Sequence, residues 1–523
     1  MSEHMQTRRK IMRPSMIITV CMAMALAINT AQADEREEME TLRQTTLNLI
    51  QILVEQGVLT QEKADQLIKQ AEVQAEETVA AQKKADVGVV RVPYVPESVK
   101  KQIADGLREE VTAKAKAERW GNVNAVPEWL DRLTWEGDMR VRYQSDLFPE
   151  GNAPEVFFQS LGQAVSNTTE DRHRERIRLR LGLKANVTPG VNVGVRIATG
   201  NTGDPVSTNQ TLGTTANKYS LVLDRAFIKI SPLYSLGISG GRIPNPWFGT
   251  DLLWDSDLNF EGVAVSFNPW SNEVRALKPF AVAGIFPLQE IEENVSVKAK
   301  DKWLSGAQLG VEWIPGVHER FKVGVGYYDY HNVSGIPNPA LNDTQFNQTA
   351  PQSRQKGNSL FNIDNDGNAN TNLYALAADY RIVNVTLAVG FAQFHPIHVI
   401  GNFDWARNVG FDQAEIRART GQDIEPETEA YQAKLTIGHP SISEPHEWQA
   451  FAGYRYLERD AVLDAFTDSD FHLGGTNHKG FMVGGQYGIY KNTWLSMRWL
   501  STDEISGLPL SIDIFQLDLT AKF

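Results

Sequence analysis

The chain of 523 residues contains one cysteine, Cys21, and that residue lies in an N-terminal apolar run. Once the run is removed on export, no thiol remains. That excludes disulfides, thiolate metal sites, thiol catalysis and covalent c-type haem from the mature chain. Lipid anchoring at Cys21 is not expected either, because Val20 before it is too large for a usual lipoprotein site. Long apolar runs are also lacking. Beyond the N-terminus none reaches the roughly eighteen residues that a membrane-spanning helix needs. No GxSxG, HExxH or Walker sequence occurs. The histidines at 173, 318, 331, 395, 398, 439, 446, 472 and 478 are scattered. Neither enzymatic activity nor a cofactor is expected. The formal net charge is −13, and no nucleic-acid partner is expected.

What is present begins with an export signal. Arg8, Arg9, Lys10 and Arg13 form a basic start, residues 16–28 an apolar core, and Ala31-Gln32-Ala33 a cleavage site before Asp34. Residues 1–33 therefore read as a secretory signal peptide. Residues 34–83 read as helix. Met39, Leu42, Thr46, Leu49 and Leu53 make one stripe, Gly57 stops it, and Thr60 caps a second segment with Ala64, Leu67, Ile68, Ala71 and Ala75. The segment is acidic, and so short a stripe points to a helical hairpin or coiled coil that must pack on something. Residues 84–134 read as a connector with a short charged helix, broken at Pro93 and Pro96.

From about residue 135 the period becomes two. Sixteen strands are predicted, near 135–144, 174–187, 191–199, 219–230, 235–242, 258–267, 278–286, 303–314, 320–330, 372–382, 384–394, 429–438, 446–457, 479–489, 493–501 and 512–523. Long links (145–173, 200–218, 331–371, 395–428) alternate strictly with short ones (188–190, 231–235, 315–319, 490–492). A soluble sandwich has no reason for that asymmetry; a membrane barrel has short periplasmic turns and long outer loops. An even strand number puts both ends in the periplasm. The pleat agrees. Ile177, Leu179, Leu181, Leu183, Ala185 and Val187 share one face, and Arg174, Arg176, Arg178, Arg180, Lys184 and Asn186 the other. Guanidinium groups are prohibitive in a soluble core but suit a hydrated lumen. Trp135, Trp270, Trp313, Tyr490 and Trp494 cluster at strand ends, as interfacial girdles do. The expected fold class is thus an all-β membrane barrel of about sixteen antiparallel strands, preceded by an α-helical hairpin or coiled coil.

Asp138, Arg140 and Arg142 on the first strand, Arg174, Arg176, Arg178 and Arg180 on the second and Arg196 on the third are expected to line one wall of the pore. They would bias ion passage, or only hydrate the lumen and pair with nearby acids. The third long loop carries Asp251, Asp255 and Asp257 with Trp247, Phe248 and Trp254, and reads either as a constriction folded into the barrel or as a surface cap, since about fifteen residues is short for a deep fold-back. Asn362, Asp364 and Asp366 have the spacing of a calcium-loop start, but Leu373 occupies the twelfth position, and an Asx-rich turn is the plainer reading. No other metal ligands are expected. The chain closes on FQLDLTAKF, with Phe523 ending an alternating strand. That resembles the signal read by the barrel-assembly machinery of Gram-negative bacteria.

Four segments carry a family resemblance: LIQILVEQGVLTQEKADQLIKQAE (49–72), RVPYVPESVKKQI (91–103), ERWGNVNAVPEWLDRLTWEGDMRVRY (118–143) and GRIPNPWFGTDLLWDSDLNFEG (241–262). In these the chain resembles the bacterial putative porins. The resemblance implies an outer-membrane channel over nearly all of the mature chain, with lipid, the assembly machinery and small solutes as partners. The expected function is passive diffusion of small hydrophilic solutes or ions, with an anion bias from the arginines. The alternative is a structural anchor whose periplasmic helices tether a partner or peptidoglycan. General porins are commonly trimers, and a homotrimer is open here.

Overall fold

The computed structural model describes Lys69, residues 130–368 and residues 371–523. The predicted signal peptide, helical segment and nearly all of the connector lie outside the described residues, apart from Lys69, which is helical and exposed. The chain divides into two compact units, Met1–Gly121 and Asn122–Phe523.

The second unit is a barrel. After a 3₁₀ turn at Leu130–Arg132 come β1 Leu133–Leu147, β2 Arg172–Thr188, β3 Val191–Ala198, β4 Val222–Leu233, β5 Leu236–Pro244, β6 Asn259–Phe267, β7 Leu277–Gln289 and β8 Lys302–Trp313. The second half is β9 Glu319–His331, β10 Arg381–Phe394, β11 Ile397–Asn408, β12 Glu429–Gly438, β13 Trp448–Leu457, β14 His478–Tyr490, β15 Thr493–Glu504 and β16 Ser511–Lys522. Each strand pairs antiparallel with the next, and β16 returns to β1 in a register running from Asp138 opposite Lys522 to Leu147 opposite Asp513. The sheet therefore closes and leaves no edge.

The predicted count of sixteen stands, but two errors cancel within it. The segment predicted as a strand at 372–382 is not in the wall except for Arg381 and Ile382, which begin β10. Its residues Tyr374–Leu376 pair with Leu360–Asn362 in a separate two-stranded sheet. Ala375, Leu376, Ala377, Ala378 and Tyr380 are buried because they pack inside the barrel rather than against its outside. The missed strand is β11, in a stretch that the sequence reading assigns to a long link. Asn402, Asp404 and Asn408 interrupt its apolar pattern. Asp404 and Asn408 are buried and engaged: Asp404 accepts from Asn384 at 2.5 Å and from Thr250 at 2.7 Å, and Asn408 donates to the Asp379 and Asp460 carbonyls at 2.9 Å each. The alternation of links holds from strand to strand, although unevenly: 505–510 joins β15 to β16 in six residues, fewer than the nine of the turns at 268–276 and 439–447.

The pattern of side chains is inside-out. Met139, Val141, Tyr143, Leu309, Val325, Phe403, Leu435, Val483, Met497 and Leu519 face outward and are exposed. Arg142, Gln144, Gln308, Asn384, Gln432, Arg455 and Gln516 face inward and are buried. So much exposed apolar surface is costly in water but favourable against hydrocarbon. Trp135, Tyr234, Trp313, Phe394, Trp448 and Tyr490 are exposed near the short-turn ends, where amphipathic rings suit a membrane boundary.

The lumen contains an apolar cluster of its own. Trp247, Leu252, Leu253, Trp254 and Leu258 from the 245–258 loop meet Phe260, Phe286 and Tyr328 of the wall and Leu463 of the 458–477 loop. That cluster holds the loops inside the barrel.

Candidate functional site

The 245–258 loop leaves β5 and returns to β6, yet its tip touches strands on the far side. Trp247 lies against Tyr328 at 5.1 Å and Phe286 at 6.0 Å, and Trp254 against Phe260 and Tyr328 at 5.1 Å each, all edge-on. Between these anchors, Phe248 N–H donates to Gln308 Oε1 on β8 at 2.8 Å, and Thr250 N–H to Asp404 on β11 at 3.0 Å. Asp251 accepts from Gln432 on β12 at 2.7 Å and lies 3.0 Å from the guanidinium of Arg455 on β13. Asp255 accepts the Ser469 N–H at 2.9 Å. Asp257 reaches the opposite way, 2.9 Å from Arg180 and 3.9 Å from Arg178 on β2. Fourteen residues suffice to span the lumen because the aromatic anchors fix both limbs and the tip needs only to bridge.

The predicted arginines sit on the inner side of β1 to β3, and nearly all have acidic partners. Asp138 holds Arg178 at 2.8 Å and Arg180 at 2.7 Å. Arg142, only 2% exposed, grips Asp518 of β16 at 2.7 Å and Asp470 at 2.9 Å. Arg174 lies 2.9 Å from Asp146, and Arg196 pairs with Asp224. Arg140 bonds Asn209 and stands 3.7 Å from Asp518. Arg176 donates to the neutral Gln144 at 3.2 Å.

Sequence reasoning missed the other half of this network. The 458–477 loop also folds inward, and its Asp468 and Asp470 bind Arg455 at 3.2 Å, Arg142, and Arg498 of β15. Its four aspartates, Asp460, Asp464, Asp468 and Asp470, recur among apolar residues. That spacing, with inward Arg455 and Arg498 on neighbouring strands, is the signal that was available. Together the groups surround a cavity of about 240 Å³. Its lining includes five cations, Arg140, Arg142, Arg178, Lys434 and Arg498, and six carboxyls, at positions 251, 255, 257, 468, 470 and 518.

The loop carboxyls do not share one state. Burial pushes Asp255 well above the usual carboxylate range, and the nearby Asp468 and Asp257 push it further. Asp468 is also raised by burial, despite Arg455. Burial would raise Asp257 and Asp470 too, but Arg178 and Arg180 hold the first below the usual range, and Arg142 and Arg498 hold the second well below it.

The remaining sequence candidates separate from this site. Asn362 accepts from its own loop, at Asp364 N and Leu373 N, and Asp366 from Asn368 N. Asp364 has no role in either bond beyond donating its N–H, so the segment is built as an Asx turn. Among the described residues no group of three or more His, Asp or Glu could hold a metal ion. Phe523 lies on the closing seam. Its N–H and C=O bond Gly137 at 3.0 and 2.8 Å, and its ring is 61% exposed.

A family model described as "putative porin" matches residues 43–523. No curated protein matches the chain. Among solved structures, the chain is similar to the outer membrane channel DcaP of Acinetobacter baumannii, at 10% identity over 75% of this chain and 97% of that one, with a TM-score of 0.39. It is similar to OprB of Pseudomonas putida at 11% identity over 76% and 96%, with a TM-score of 0.43. OmpF of Salmonella typhi, solved with daunomycin, shows 11% identity over 75% and 97%, with a TM-score of 0.39.

Proposed function

Because the chain belongs to the family described as "putative porin", we propose that it is an outer-membrane porin, a passive diffusion channel for small hydrophilic solutes with a bias towards anions. The inside-out barrel supports the membrane setting, with the short turns, Phe523 and the N-terminal segment on the periplasmic side. The observation that carries the channel reading is the inward 245–258 loop. It bridges the lumen from Arg178 and Arg180 on one wall to Arg455 on the other, so solutes pass a narrow, charged section rather than an open tube. Opposed charges there set a transverse field that orients dipolar solutes and strips them of little water.

The anion bias rests on the mouth. Arg172, Arg174 and Arg176 continue the ladder towards the long loops, and Asp146 is the acid that pairs there. The test is planar-bilayer recording of the refolded protein across a KCl gradient. We expect discrete steps and a reversal potential on the chloride side, smaller in an Arg172→Gln/Arg176→Gln double variant. A folded barrel that gives no steps ends the channel reading. Steps with a cation-side reversal potential end the anion bias alone.

A further inference from the structure

Two cavities lie on the long-loop side of the constriction, one of about 440 Å³ and one of about 260 Å³, and they share Pro205, Ser353 and Ala465 as a common wall. They differ in chemistry. Arg172, Arg174, Arg176, Arg354 and Lys356 line the larger, against Asp146 and Asp204. Two of these cations are engaged: Arg174 by Asp146 at 2.9 Å, and Lys356 by the carbonyls of His472 and Gly474. Arg176 has no carboxylate partner among the described residues. Its Nε, and one terminal nitrogen of Arg354, are buried with no hydrogen-bond partner among the described residues. A buried guanidinium N–H without an acceptor is costly, and a carboxylate is the group that best satisfies it.

The smaller cavity is apolar where the larger is charged. Phe260, Phe286, Leu288, Leu463 and Phe466 line it. Its own cations are already matched, Lys302 by the carbonyls of Thr349 and Ala350 at 3.1 and 2.8 Å, and Arg242 by Glu261 at 2.6 Å. At the common wall the 199–221 and 332–380 loops are tied by a long hydrogen bond, from Ser353 Oγ to the Gly203 carbonyl at 3.3 Å. Together the cavities reach the size of small-molecule sites, about 300–1,000 Å³.

We propose that the joined cavities bind a small carboxylate with an apolar body, its charged group at Arg176 and Arg354 and its hydrocarbon against Phe260, Phe286 and Leu288. The proposal rests on the channel reading for the idea that such a solute is cargo, held at the mouth before it passes the constriction. Binding itself is measurable without transport. Trp247 and Trp254 contact Phe286 and Phe260, so a ligand in the smaller cavity changes tryptophan emission.

The experiment titrates the full chain, refolded in detergent, with 3-phenylpropionate, acetate and 3-phenylpropionamide, reading tryptophan fluorescence, and repeats the series as block of bilayer current. Phenylpropionate should bind at least about tenfold more tightly than either control, since each control lacks one of the two contributions. Arg176→Gln should bring its affinity down towards that of the amide, and Leu288→Asn towards that of acetate. Heat-modifiable mobility on gels checks that each variant is folded. Equal affinities for the three ligands, or full binding in both variants, overturn the site. A barrel that binds phenylpropionate but never conducts keeps the site and loses the porin reading; one that conducts without discriminating does the reverse.

Discussion

Trp254→Ala tests whether the 245–258 loop narrows the lumen. The indole is 3% exposed, with Phe260 and Tyr328 edge-on at 5.1 Å and Phe466 tilted at 6.3 Å. Truncating so buried a tryptophan costs about 3–5 kcal/mol. Besides the Trp247 anchor, the tethers that remain include the Gln308, Asp404, Gln432, Arg455, Ser469 and Arg180 bonds, worth about 0.5–1.5 kcal/mol each when neutral and about 1.5–3 kcal/mol when charged. Losing Trp254 therefore equals losing two or three of them. At about 1.4 kcal/mol per factor of ten, the undocked loop gains roughly two to four orders of magnitude in relative population. The ladder hydrogen bonds of the wall do not depend on the indole, so the barrel should still fold and shift on gels when heated. Single-channel recording should then show a larger mean step and more flicker, with Trp254→Phe close to the parent. If the folded alanine variant keeps the parent's step, noise and selectivity, the loop does not set the pore, and the argument from its anchors is wrong.

Arg455 is fully buried between Asp251 and Asp468, and Arg455→Met strands both carboxylates at a cost of about 3–5 kcal/mol; thermal denaturation should show the loss, and the reversal potential should move towards cations. Burial pushes Asp464, which accepts the Gln355 N–H at 3.0 Å, up to about 7, with Arg354 opposing. A raised acid stabilises fully below its unfolded value near 4 and loses that contribution as pH rises through about 7. The tie between the 332–380 and 458–477 loops should therefore loosen between those limits, seen as growing current noise that Asp464→Asn removes. A Cβ at Gly137 would lie 2.6 Å from the Phe523 ring and 2.8 Å from the Arg180 carbonyl. Gly137→Val should reduce the heat-modifiable folded fraction, while Gly182→Ala, which meets the flexible Glu136 side chain at 3.0 Å, should not.

The wall was legible because a lipid-facing strand must repeat every two residues, and β1, β2 and β13 do so cleanly. Legibility failed where the lumen is not simply wet. The 372–380 stretch looks like a wall strand because its alanines, Leu376 and Tyr380 are apolar, yet they serve a core inside the barrel. The β11 stretch looks like a loop because Asn402, Asp404 and Asn408 serve the same interior with polar groups. Period alone cannot distinguish lipid from an internal apolar cluster. The loop itself held a clue: Trp247, Phe248, Leu252, Leu253 and Trp254 within eight residues are too apolar for a surface cap. The partners of the arginines were harder to see, because Asp470 and Asp518 are 328 and 376 residues from Arg142 and only barrel closure brings them together.

Closure also changes what the arginine wall can do. A cation 2.7–2.9 Å from a carboxylate presents a dipole to anything beyond a few ångströms, and salt in the lumen screens what is left. Around the 240 Å³ cavity five cations face six carboxyls, and burial favours the protonated forms of Asp255 and Asp468. Five against six is already close to even, and the raised acids shift it further from a net negative charge. The paired residues Arg142, Arg178 and Arg180 therefore supply direction, a field from one wall to the other, and little net attraction. Net attraction belongs to the cations that make no direct ion pair among the described residues, Arg172, Arg176 and Arg354 at the mouth, although Asp146 and Asp204 line the same cavity. Selectivity and narrowing are on this reading separate properties, placed at different depths and carried by different residues. A variant at the mouth should change which ion is preferred without changing the step much, and a variant in the anchored loop should do the opposite.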